Sequence, residues 1–428
     1  MIKNELPNWL TKIELISDER YPSWLNETRQ REWNQFVSEG IPSRVLERWK
    51  YSDLSILKKT NFSFANPVDQ SQAQRFIQQE RMRADDSILL AVVNGFFEPA
   101  LSDLAKLPDG VIACDLAQAC ELYPDLVKEN WLSYEKHESH PFASLNGSMW
   151  QSGLFLYLPD HMKLSAPVHL LSLVIDEAPC IASPRHMLIL GATSRLMLLE
   201  EHISFAIDSY VVNQCMSVKL QQDAKIEHYK IQRETSKGIH LANTFFQQLK
   251  DSHVASTQFT TGAAIARDDI VIKLAEHGAA CSTAGFYSVL HDGQYVDYHV
   301  DINHHAPHSS SEMLYKGILD QKARAVFNGR LHVKQDAQRI TAYQANHNLL
   351  LSDTAEIYSK PELEIYADDV KCKHGATTGQ LDEDALFFMR SRGIAKEEAM
   401  SILLQGFAQE IVERVSHPTI MLRVLEIV

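Results

Sequence analysis

Short runs in which hydrophobic and polar residues alternate dominate the middle of the chain. They lie at 154–158, 186–190, 195–199, 216–220, 225–231, 270–274, 295–301, 324–333 and 362–366. Side chains two apart share a strand face, so Met216, Val218 and Leu220 point one way and Ser217 and Lys219 the other. Gly, Asp, Asn and Ser turns separate the runs, and helical periodicity is almost absent from Gly153 to about Gly379. Some 200 residues of short strands predict a large sandwich, a barrel or a solenoid. A small-residue step recurs at strand starts, in Gly191-Ala192, Asp223-Ala224, Gly278-Ala279, Lys322-Ala323 and Thr354-Ala355. This degenerate repeat favours a β-solenoid whose coils each hold about three short strands and two turns.

The flanks differ. The spacing predicts a helix over 23–38, with Ser23 as cap, Trp24, Trp33, Phe36 and Val37 on its buried side, and Gly40 after its last turn. A linker follows from Ile41-Pro42 to Tyr51. A polar helix over 69–81, a buried strand over 87–94 turned by Asn94-Gly95, a strand over 111–114 and a helix over 116–131 interrupted near Pro124 complete this region. At the other end, 382–391 and 395–415 read as helices. In the second, Ala399, Leu403, Phe407, Ile411 and Val415 recur at i+4 with Met400, Leu404, Ala408 and Val412 beside them. That wide stripe caps the chain's own core, forms a partner-binding face, or does both. The expected domains are therefore 1–135 (helical, α+β), 136–379 (solenoid core) and 380–428 (helical). Their separate periodic patterns predict a solenoid that stays folded without 382–428.

Composition narrows the function. With 45% hydrophobic and 22% charged residues the chain is globular. Its 41 basic against 55 acidic residues leave a net charge of −14, which argues against nucleic acid as the main ligand. No stretch reaches the ~20 apolar residues of a membrane helix, and MIKNELPNWL lacks a signal core, so a cytoplasmic protein is expected. The six cysteines (114, 120, 180, 215, 281 and 372) form no CxxC pair and are too scattered for a self-contained metal site. There is no phosphate loop, no GxSxG and no HExxH.

Two clusters carry possible chemistry. In VKCKHG, a strand would put Cys372 and His374 on one face, a thiolate and an imidazole suited to zinc, copper or iron–sulfur species. Lys371 and Lys373 would lower the thiol pKa if they approach it. Two ligands do not close a site, so further donors would come from elsewhere in the chain or from another chain. The alternative is a buried cysteine beside a hydrogen-bonded histidine. In YHVDINHHAPH, His299, Asp301, His304, His305 and His308 read as structural stacking or, alternatively, as a metal-dependent β-fold enzyme centred on His299, His304 and His308.

The 40-residue block PELEIYADDVKCKHGATTGQLDEDALFFMRSRGIAKEEAM (361–400) resembles the C-terminal signature of the SufB/SufD family of iron–sulfur cluster assembly scaffolds, on its SufD side. GIPSRVLERWKYSDL (40–54), FASLNGSMWQSGLFLYLP (142–159), SSSEMLYKGILDQKARAVFNGRLHV (309–333) and NHNLLLSDTAEIYSKPELEI (346–365) are similar to further family segments. SufB-type chains carry a cysteine ahead of the apolar run matching 349–351, where this chain reads QANHN, and a Glu-His-Glu type signature where it has Cys372-Lys373-His374. The resemblance implies a mainly β fold, a right-handed parallel β-helix between an N-terminal α/β region and a C-terminal helical region. It implies a non-catalytic subunit that pairs with SufB through the β-helix ends and docks the SufC ATPase on its C-terminal helices, through Phe387, Arg390, Arg392, Leu403, Phe407 and Ile411. His374, with Cys372 beside it, would contribute to a nascent iron–sulfur cluster, a transient cargo shared with SufB rather than a cofactor of the isolated chain. An isolated chain could pair with itself at the same edge.

Overall fold

The computed structural model describes residues 6–11, 21–82, 87–132, 140–176 and 178–428. Two sheets face each other across a lumen. Sheet A stacks, in order, Leu154–Leu158, Arg185–Leu190, Tyr210–Leu220, Gly238–Gln248, Ile265–Leu274, Tyr295–His304, Arg324–Val333 and Glu356–Ile365. Sheet B stacks Ile88–Val93, Val168–Val174, Arg195–Ser204, Lys225–Gln232, His253–Thr260, Ala280–Val289, Ser310–Leu319, Ile340–Leu350 and Val370–Gly379. From Arg185 onward the chain alternates between sheets, and these strands pair in parallel with the equivalent strand of the next coil. The result is a β-solenoid of about seven turns. Each coil holds two long strands, not the three short ones expected, because the strands run on well past the apolar stretches that mark them.

The alternation continues through those extensions with polar side chains turned inward. Met216, Val218, Leu220, Ile226, Val254, Ile270 and Ile272 fill one half of the lumen. Each contributes roughly 1.5–3 kcal/mol by leaving water. The other half holds Glu200, His202, Gln214, His228, Lys230 and Asp268, all buried. The corners explain the small-residue step. Ser194, Ala224, Ser252, Ala279 and Ser309 sit 27–30 residues apart at equivalent places before the sheet B strands. The residue before each has positive φ (Thr193, Asp223, Asp251, Gly278, His308). Ala323 and Ala355 form a second ladder before the sheet A strands. Half-buried Ala192 belongs to neither, which is why a single period fitted badly.

The N-terminal region closes the solenoid's first end. Ile88–Val93 and Leu154–Leu158 each carry an antiparallel neighbour, Phe96–Phe97 and Ile112–Asp115. The helix Ser23–Glu39 ends at Gly40 (φ 69°), but Pro22 takes the cap position and no side chain caps it. It buries Leu25, Thr28, Arg29 and Phe36, while Val37 is 41% exposed. It packs on Pro141–Met149, a helix absent from the sequence reading. Every residue of that helix is buried, so no polar face marks it. The expected boundary at 135/136 lies outside the described residues.

The C-terminal helices are Glu383–Ser391, capped by Asp382, Lys396–Val412 and Pro418–Leu425. Ala408, Ile411, Val412, Val415, Ile420 and Val424 pack on Leu199, Tyr229, Ile231, Phe259, Phe286 and Leu314, on the outer face of sheet B. Arg414 donates to Glu312 at 2.6 Å and Arg423 Nε to both oxygens of Glu201 at 2.9 and 2.7 Å. The stripe is therefore a cap on the chain's own core. Removing 382–428 would strip an apolar face from sheet B and take Arg423 from the buried Glu201, so the two regions share a packed face. No described helix is long and apolar enough to cross a membrane.

Candidate functional site

The last coil differs from the rest. Among the described residues, Glu356–Ile365 and Val370–Gly379 end their sheets, each paired on one side only, with Arg324–Val333 and Ile340–Leu350 respectively. Backbone groups on their outer sides present an unpaired edge. Cys372 and His374 lie on this final strand of sheet B, opposite Ala342 and Gln344. Those two neighbours are buried, Ala342 in the lumen core and Gln344 donating to the Gly329 carbonyl at 2.8 Å. Cys372 and His374 thus continue an inward-facing row beyond the point where a further coil would cover it. The thiol is half-buried against the lumen core, and the imidazole is exposed. A Cβ added at Gly375 would meet nothing within 4 Å.

Burial raises the Cys372 thiol pKa. The expectation that Lys371 and Lys373 would lower it is not met: both are exposed on the other strand face, and desolvation alone acts on the sulfur. One soft sulfur and one imidazole can hold an iron species only in part. Among the described residues no group of three or more His, Cys, Asp and Glu is placed to hold a metal ion.

Beneath this row the lumen is polar, and sequence reasoning missed it. Asn346 donates to the Tyr287 hydroxyl at 3.2 Å and accepts from Asn348 at 2.8 Å and Ser359 at 2.7 Å. Further in, Glu200 accepts from His202 at 2.6 Å, His228 at 2.8 Å and Gln214 at 2.5 Å. These contacts hold its carboxyl well below the usual range against the opposing effect of burial. Lys230 pairs with Asp268. The available signal was polar residues at i, i+2, as in Glu200/His202, His228/Lys230 and Asn346/Asn348, continuing the register of apolar lumen positions.

The second cluster comes apart. His299 and Asp301 do share a face, but it is the outer one, where Asp301 pairs with Arg48 at 3.0 Å and Arg330 at 2.9 Å. His304 points the other way, into the lumen, between the hydroxyls of Ser309 at 2.8 Å and Ser311 at 2.9 Å. His308 is a corner residue at positive φ, its ring 4.7 Å from that of His277. Opposite strand faces separate His299 from His304, so the metal-enzyme alternative centred on these three histidines fails.

The expected docking residues also sort by burial. Phe387 is 72% exposed, and Arg390 and Arg392 are exposed with it. Leu403 and Phe407 are half-buried, and Lys316 lies 4.9 Å from the Phe407 ring. Ile411 is fully buried against sheet B, so it is unavailable to a partner while the tail stays packed.

Comparison with known proteins agrees with this architecture. Residues 173–407 match the family model "SUF system FeS cluster assembly, SufBD core domain", and residues 8–170 match "SufBD protein N-terminal region". The chain is 30% identical over 410 residues to an iron–sulfur cluster assembly SufBD family protein of Synechocystis, covering 92% of this chain and 88% of that one. It is 27% identical over 414 residues to the iron–sulfur cluster assembly protein SufD of Escherichia coli, covering 96% and 92%. With SufD of Bacillus subtilis it shares 28% over 324 residues, covering 71% and 70%. By its core model, its N-terminal model and its full-length relatives, the chain belongs to the SufBD family of iron–sulfur cluster assembly proteins.

Proposed function

We propose that the chain is the SufD-type, non-catalytic scaffold subunit of a cytoplasmic SufBCD-type complex. Its bare edges at Glu356–Ile365 and Val370–Gly379 take up SufB by strand addition. His374, with Cys372 beside it, supplies part of the ligand set of a nascent cluster, and SufB supplies the rest. SufC docks on Glu383–Ser391 through Phe387, Arg390 and Arg392. ATP-driven closure of SufC then acts through the tail on the SufB-facing edge. The observation that carries this reading is an incomplete donor pair on an unpaired edge strand.

The test is co-expression with SufB and SufC. His374→Ala is expected to assemble the complex but to lose most of its iron and sulfide, with Cys372→Ala losing less. Undiminished iron and sulfide in His374→Ala would sink the ligand role and leave an architectural subunit. Phe387→Glu is expected to weaken SufC retention at least tenfold while leaving SufB pairing intact, read by pull-down of the three chains.

A further inference from the structure

The segment 47–52 crosses the outer face of sheet A as a strap. Arg48 pairs with Asp269 at 3.2 Å and Asp301 at 3.0 Å, and Ser52 donates to Asp297 at 2.9 Å. Arg267 lies 3.6 Å from the Trp49 ring centroid, Glu47 pairs with Lys360 at 2.6 Å, and Tyr51 stacks on Tyr358 at 3.9 Å. These anchors span four successive strands, from Ile265–Leu274 to Glu356–Ile365, and leave a cavity of about 180 Å³ between strap and sheet.

The floor of that cavity contains a buried ring nitrogen without a hydrogen-bond partner. His299 is 3% exposed; its Nε2 faces Asp297 Oδ1 at 3.0 Å, and its Nδ1 makes no hydrogen bond. The other oxygen of that carboxylate, Asp297 Oδ2, accepts from Arg267 at 2.7 Å. Burial, with Arg267 nearby, lowers the His299 pKa, so the ring is neutral and retains a lone pair. Buried acceptors of this kind cost free energy until a donor reaches them. The three lining cations are already engaged, Arg48 and Arg330 by Asp301 and Lys360 by Glu47. Four lining carboxylates, Glu47, Asp297, Glu362 and Glu364, outnumber them. Tyr51 and Val326 add an apolar wall. One unmet ring acceptor, an excess of negative charge and a short apolar wall together favour a positively charged head that carries N–H donors on an alkyl stem.

We propose that this cleft binds an alkylguanidinium or alkylammonium group, its head toward Asp297 and His299 and its stem against Tyr51 and Val326. The group belongs either to a free small molecule or to an arginine or lysine of a strand docked beside Glu356–Ile365, since Glu362 and Glu364 of that edge strand also line the cavity. The site does not depend on the scaffold role proposed above.

Calorimetric titration of the intact chain with n-propylguanidinium and n-butylammonium chloride tests it, with sodium butyrate as the opposite charge. Saturable binding of the cations is expected, and none of butyrate. The double variant Glu362→Gln/Glu364→Gln, at more exposed positions, is expected to bind at least threefold more weakly. Crystals soaked in 3-iodopropylamine should place iodine in the cleft, a readout that does not depend on any variant folding. No saturable heat, equal binding of butyrate, unchanged affinity in the double variant, or iodine only elsewhere overturns the proposal. Repeating the titration on the complex with the edge partner assigns the source. Heat lost there means that a partner side chain fills the site, and heat retained means a free ligand; both support the site.

Discussion

Ala224 and Ala279 stand where the chain turns into sheet B, with no exposed surface. A larger side chain there has no unfilled volume to enter. Ala224→Leu is expected to lose about 1–3 kcal/mol by overpacking, read as a lower denaturant midpoint with unchanged slope. Single lumen histidines make a second residue-scale prediction. Burial lowers the pKa of His186 to about 4 and of His304 to about 3. The unfolded chain, with a histidine pKa of about 6.5, therefore takes up protons first, and stability falls as pH drops from there toward 4. Each imidazole contributes up to about 1.4 kcal/mol per pH unit in that window. His304→Asn removes one of them and is expected to flatten the stability–pH slope between pH 6 and 4. An unchanged slope would mean that the ring is not neutral in the fold. The His374 and Cys372 row was legible from spacing because i, i+2 geometry is local. The Asp297–His299 cavity was not, because it needs a strap some 250 residues away in sequence.

At the scale of elements, legibility followed the lumen's chemistry. The run 216–220 was recognised, yet the strand begins at Tyr210, because Gln214 occupies an inward position and breaks the apolar pattern. The run 195–199 stopped short for the same reason, since Glu200 and His202 continue the inward row to Ser204. By contrast 324–333 was read at its observed limits because Ala325, Phe327, Leu331 and Val333 keep the alternation apolar. The tail was readable as helix but not as lid, since a stripe does not name what it covers. Its polar anchor is testable. Arg423 meets Glu201, whose pKa burial would raise but which His169, Arg423 and Arg233 bring down to about 2. Arg423→Ala is expected to cost roughly 2 kcal/mol in urea unfolding, less than a fully orphaned buried charge because Arg233 and His169 remain.

For the whole molecule, the tail and the open edge are joined across sheet B. Lys316 donates to the Phe407 carbonyl at 3.2 Å and pairs with Glu410 at 2.6 Å. It lies beside His347 in register, and His347 bonds Thr377 on the edge strand at 2.7 Å. Displacing the helix Lys396–Val412 would therefore be felt three residues from His374. Lys316→Met is expected to raise the alkylation rate of Cys372 several-fold in the isolated chain, with circular dichroism unchanged. Amide exchange offers a separate check. The 370–379 amides are expected to exchange fast in the isolated chain and, under the pairing proposed above, to gain protection on addition of SufB.

The antiparallel neighbours Phe96–Phe97 and Ile112–Asp115 blunt one terminus of the stack, while the opposite terminus is left bare. Among the described residues the long bare strands lie at that one tip, so contact between the tips of two copies covers them on both and closes at a pair.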